Sequence, residues 1–222
     1  ACLMGMLEVA YALRNVADYV VASEDLEPGD GWPYDTILTD LRAAIGPTSS
    51  CSPRELAALI VTDYVDSYPS SNGITQASVD VSRLAAVASA VDAFTNVATS
   101  EWGAIQTARN ASPDYHPWGN SYWGVDLRAF ANRVHQQASS AQIKAAALDL
   151  RNAVDAFVDE EGHSPDSAGS HGVAIYFPPT SAAFLSDPDH NGYVQSNTFM
   201  PVDFVKFHNW DEWLQDYYSN AP

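Results

Sequence analysis

The chain has only two cysteines, Cys2 and Cys51, among its 222 residues, and no pair at C-x-x-C spacing. Two such residues make neither a disulfide framework nor a structural zinc site, and nothing in their separation demands that they pair with each other. Basic residues are also scarce. Ten Lys and Arg stand against 28 Asp and Glu, for a formal net charge of −18. The acidic residues are spread along the chain without an acidic tail, so a phosphate backbone or an anionic membrane is repelled and cationic peptides are attracted. The same excess also serves solubility. No apolar run approaches the ~20 residues of a membrane span. No signal peptide precedes Ala1, an absence of little weight in a chain that opens in mid-element. What is present is 46% hydrophobic and 17% charged, a globular composition with core enough for one large domain or two small ones.

Periodicity gives the organisation. Leu3, Met6, Leu7, Ala10 and Leu13 share one face and predict an amphipathic helix over 3–14. DYVVAS, ending at Ser23, is a short β-branched run of the kind that forms a strand buried on both faces. EDLEPGDGWPYD follows, where Pro28, Gly29, Gly31 and Pro33 enforce irregular backbone before a helix predicted from Tyr34 to Ala44. A loop leaving a buried strand is where α/β folds place ligand sites. GPTSSCSPRE reads as a linker ending in a helix start at Ser52-Pro53-Arg54-Glu55. Residues 54–67, 78–98, 124–138 and 141–160 read as helices separated by aromatic loops, and Val173 to Phe177 as a second buried strand before a C-terminal amphipathic helix, NWDEWLQDYY. The pattern predicts an α/β domain with a mostly helical insertion at about 54–160.

Three stretches carry candidate chemistry. If a strand precedes Ala1, Cys2 falls at a strand-to-helix junction, where unpaired amides and the helix dipole stabilise a thiolate; the alternative is a small buried hydrophobe. Asp30, between Gly29 and Gly31, is either a binding carboxylate or the support of a turn. DPDHNGYV has the D-x-D-x-N-G opening of a calcium loop, with Asp187, Asp189 and Asn191 as oxygen ligands. Its twelfth position is Thr198 rather than Glu, so an Asx-rich turn is the competing reading. The six histidines have ordinary neighbours and read as structural or surface residues.

ACLMGMLEVAYAL, VADYVVASEDLEPGDGWPYD, ELAALIV, YWGVDLRAFA and HGVAIYFP, in this order, resemble the clostripain family of cysteine peptidases, enzymes of caspase-like fold related to gingipains. The resemblance runs from residue 1 to about 217 and implies the C-terminal, heavy-chain part of a three-layer αβα sandwich. It maps the nucleophile onto Cys2, flanked by matching Ala1, Leu3, Met4 and Gly5. The aspartate before the alanine and the catalytic histidine of the family both fall upstream of Ala1; His171-Gly172 is only superficially like the family's His-Gly pair. Asp30 resembles the carboxylate at the base of the first specificity pocket, with Ser23, Glu24 and Trp32 as its walls.

The resemblance therefore implies a secreted or cell-surface endopeptidase cutting after Arg or Lys through a Cys-His dyad, calcium-assisted as family members commonly are. Its partners are basic peptide substrates and the missing N-terminal portion or light chain. This fragment alone is expected to be inactive. The rivals are a catalytically dead module of the same fold that holds basic peptides, and an acidic structural domain with Cys2 in its core.

Overall fold

The computed structural model describes residues 2–46, 49–68, 73–116, 123–188, 190–194 and 202–221. In chain order its elements are α1 (Leu7–Leu13), β1 (Tyr19–Ala22), α2 (Tyr34–Ala44), α3 (Pro53–Ser67), β2 (Thr75–Asp80), α4 (Leu84–Val97) and α5 (Trp102–Ala111). They continue with β3 (Asp114–Tyr115), β4 (Gly124–Asp126), α6 (Leu127–Gln137), α7 (Ala141–Phe157), β5 (Val158–His163), β6 (Ala174–Tyr176), α8 (Ser181–Ser186), α9 (His190–Tyr193) and α10 (Trp210–Asn220).

The strands form two antiparallel sheets, β1-β2-β5 and β3-β4-β6. In the first, Tyr19 stands opposite Asp80 and Thr75 opposite His163, with an irregularity between Ser78 and Val79. In the second, Asp126 stands opposite Ala174. Met6 forms a parallel bridge to Ala174, and the Ala174 amide donates to the Gly5 carbonyl at 2.8 Å. The segment behind Cys2 is thereby laid along β6.

Helix α3 begins as its sequence predicts, with Ser52 and Glu55 forming a reciprocal capping box and Pro53 in the first turn. Helix α6 is capped by Asp126, whose carboxylate accepts from the Ala129 amide at 2.6 Å. Helices α4, α6 and α7 pack on one another and bury Val87, Val91, Phe130, Val134, Leu150 and Val154 completely. The C-terminal helix seals the far side with Trp210, Trp213 and Tyr217 around Phe177, at ring separations of 5.7, 5.6 and 5.1 Å. Burying indole N–H groups requires acceptors; Trp210 donates to the Tyr176 carbonyl at 2.8 Å and Trp213 to that of Ala98 at 2.7 Å.

Several boundaries differ from the periodicity. The first helix starts at Leu7 rather than residue 3, because Leu3 is left-handed and Met6 extended. The expected helix over 78–98 is strand β2 followed by α4, and that over 141–160 stops at Phe157, where the chain turns into β5. Residues 124–126, expected at a helix start, are the central strand of the second sheet. Residues 54–160 thus hold five of the ten described α-helices but also β2, β3, β4 and the start of β5, so this stretch is woven into both sheets. Strand β1 pairs with β2 alone among the described residues, and only its last residue, Ala22, is fully buried.

Candidate active site

Cys2 is exposed on the turn leading into α1. Its neighbour Leu3 has φ 57°, a left-handed conformation costing a non-glycine residue on the order of 1–2 kcal/mol. Two backbone bonds hold it there: Leu3 N–H to the Asp25 carbonyl at 3.2 Å and Gly5 N–H to the Ser23 carbonyl at 2.8 Å. A Cβ at position 5 would lie 2.8 Å from the backbone of Ser23 and Glu24. Only glycine permits that approach, so the fifth residue of ACLMG fixes how closely the cysteine turn lies against residues 23–25.

The groups around the sulfur come from the loop after β1. The Glu27 amide donates to Sγ at 3.3 Å, and Glu27 Oε2 lies 4.0 Å from it. The other carboxylate oxygen of Glu27 accepts from Trp32 Nε1 at 3.0 Å. Trp32 in turn packs on the buried ring of Tyr64 at 6.4 Å, and the neighbouring Tyr68 hydroxyl donates to the Gly31 carbonyl at 2.7 Å. Rings on α3 and just past its end therefore anchor this loop at Gly31 and Trp32 and present Asp30 at the surface. Burial, and after it the Glu27 carboxylate, push the Tyr64 hydroxyl well above the ordinary phenol range, so it stays neutral.

Trp32 lies at the surface side of this loop, whereas Ser23 and Glu24 are 0% and 1% exposed and point inward. Ser23 Oγ is 2.9 Å from Thr75 Oγ1, and Glu24 Oε2 accepts from the Gly172 amide at 2.9 Å. Their side chains are engaged with β2 and the turn before β6 rather than with the surface that carries Asp30. That turn needs its glycine: Gly172 has φ +91°, and a Cβ there would meet Ala77 Cβ at 2.6 Å. His171 beside it is half-buried, its Nε2 3.2 Å from Arg128 Nη1. Burial and the neighbouring guanidinium lower its pKa, so it is a neutral acceptor in a structural pair. Among the described residues no histidine is hydrogen-bonded to Cys2.

Of the three residues of the calcium expectation, two are described. Asp187 is buried and its Oδ2 accepts from the Tyr176 hydroxyl at 2.9 Å, whereas Asn191 is exposed on α9. Asp189 lies outside the described residues. No group of three or more His, Cys, Asp or Glu able to hold a metal occurs among the described residues.

Sequence reading missed Glu27 and the Tyr64 and Tyr68 anchors. The signal for Glu27 was its place three residues before Asp30 in the same proline-glycine loop; the tyrosines are distant in sequence and carried none.

The chain belongs to the clostripain family, whose model matches residues 1–220. Among solved structures, an inactive zymogen C11 protease from Parabacteroides distasonis superposes at TM-score 0.61 with 18% identity, over 98% of this chain and 57% of that one. A clostripain from Bacteroides thetaiotaomicron, in complex with a peptide inhibitor, gives TM-score 0.61 and 17% identity over 96% of this chain and 83% of that one. A B. fragilis cysteine protease gives 0.58 and 20% over 83% and 78%. The chain thus has the caspase-like α/β fold of these proteases and spans 57% of the length of the Parabacteroides one. Comparison with curated protein sequences finds no match.

Proposed function

We propose that this chain carries the nucleophile and the specificity residue of a cysteine endopeptidase that cleaves after arginine or lysine. The observation that carries the reading is the placement of Cys2 on a strained, exposed turn, with the Asp30 loop tied to it through Glu27 and Trp32. The inhibitor bound to the Bacteroides thetaiotaomicron clostripain has the peptide portion VLTK, ending in lysine, which supports a basic residue at the cleavage point here.

In this reading a histidine on a segment upstream of Ala1 takes the Cys2 proton. The sulfur attacks the carbonyl after the basic residue, the amine leaves with that proton, and water then hydrolyses the thioester. Backbone amides near Cys2 hold the oxyanion. Asp30 pairs with the guanidinium or ammonium group of the substrate, an attachment that is stronger when partly desolvated. The net charge of −18 draws cationic chains toward the site. One neighbour is described as a secreted C11 protease, and we place this protein outside the cell or at its surface.

The test is to assay the chain with and without its upstream segment on peptide amides ending in Arg, Lys or Leu. The joined protein turns over the basic substrates only, and the chain alone none. Absence of turnover in the joined protein, together with resistance of Cys2 to iodoacetamide, overturns the reading.

A further inference from the structure

Behind the cysteine turn, two carboxyl groups face each other in the interior. Glu24 follows β1, Asp126 ends β4, and they are 1% and 0% exposed. Asp126 accepts two backbone amides, Ala129 at Oδ1 (2.6 Å) and His171 at Oδ2 (2.5 Å), as an ionised carboxylate does. Glu24 accepts the Gly172 amide at Oε2, next in sequence to the His171 amide on Asp126, so the two buried carboxyls lie side by side. Two carboxylates cannot bond without a proton between them, and burial makes a second negative charge costlier still.

We propose that Glu24 is a positioning residue: its protonated carboxyl donates to Asp126, and this shared-proton clamp sets the backbone against which Cys2 is held. The route is short. Ser23 and Asp25, on either side of Glu24, supply the two carbonyls that accept from Gly5 and Leu3 behind the sulfur. The same clamp joins β1 to the N-terminus of α6 and to the turn at Gly172, three places far apart in sequence.

The groups facing the pair are Tyr115 on β3, whose hydroxyl donates to Ser170 at 2.7 Å, Arg128 on α6, engaged with Asp155 and His171, and Asp25 with His116 beyond it. Burial and the neighbouring Asp126 raise Glu24, and burial raises Asp126 to about 7. Both are raised above their unfolded values, so the folded chain holds the proton more tightly. The stabilisation is complete below about pH 4 and is lost as pH rises through about 7 and beyond.

The experiment uses this chain with Cys51→Ser and needs no turnover, so its outcome is separable from the peptidase reading on which the role for Cys2 rests. Denaturation midpoints are measured from pH 4 to 9, with amide exchange of Leu3 and Gly5. Glu24→Gln keeps a donor for Asp126 and an acceptor for Gly172 without its own titrating proton; it retains wild-type exchange at Leu3 and Gly5 and shows a shallower alkaline decline in midpoint, the remainder belonging to Asp126. Glu24→Ala exchanges both amides at least about tenfold faster. If Glu24→Gln loosens the two amides as much as Glu24→Ala, or declines with pH as the wild type does, the clamp is wrong.

Discussion

Glu27 puts a carboxylate oxygen 4.0 Å from the Cys2 sulfur while its amide donates to the same atom. The two effects oppose: the amide stabilises negative charge developing on sulfur, and the carboxylate repels it. Cys2 is exposed and Glu27 half-buried, so solvent screens the repulsion to about 1 kcal/mol, a factor of roughly five. Glu27→Gln therefore speeds iodoacetamide alkylation of Cys2 about two- to fivefold in low salt and less at 1 M. An unchanged low-salt rate would mean that the carboxylate does not act on the sulfur. Asp30 differs, being exposed on the anchored loop and not hydrogen-bonded to Cys2. We expect Asp30→Ala to leave alkylation of Cys2 intact and to abolish the preference for basic over apolar substrates in the joined protein, read as kcat/KM ratios. Asp30→Ala that unfolds the chain would make the residue a turn support instead.

Elements hold the site through close approaches that side chains larger than hydrogen would break. Gly172→Ala places a Cβ 2.6 Å from that of Ala77 at a φ of +91°, so we expect a loss of about 2–4 kcal/mol, read from denaturant midpoints. Ser52→Ala removes only the α3 cap and costs about 1 kcal/mol, a fall of about 2–4 °C in Tm for a chain of this size. The contrast between these two sites mirrors what was legible in the sequence. The cap and Pro53 are local signals, and α2 and α3 begin where those signals put them. Strand β2 was hidden because TQASVD is buried on both faces and runs into the Ala- and Val-rich α4, so its residues extend a helical pattern. Strand β5, VDEEGH, has the composition of a helix end or loop and is a strand only because β2 supplies its partner. The irregular backbone of the loop carrying Asp30 was readable from its prolines and glycines, whereas the cysteine turn was not, its residues continuing a helical pattern; the inward course of Ser23 and Glu24 was not either, because it depends on Thr75 and Gly172, about 50 and 150 residues away.

For the whole molecule the dominant property is its charge. With −18 spread over the chain, encounter with a basic peptide is accelerated at low ionic strength and the advantage fades as the Debye length falls below about 10 Å. KM for an Arg-ended peptide should accordingly rise with salt in the joined protein while that for a neutral ester moves little; equal responses would confine electrostatics to Asp30 itself. The acidic composition, the strained cysteine turn and the anchored Asp30 loop support the proposal that Cys2 attacks the carbonyl of a basic residue. The most direct measurement is mass mapping of the adduct left by a lysine-ended peptidyl electrophile on the protein joined to its upstream segment, beside a leucine-ended control. The account predicts modification at Cys2, with lysine strongly preferred and the preference lost in Asp30→Ala. Modification at Cys51 alone, or equal labelling by both probes, would contradict it.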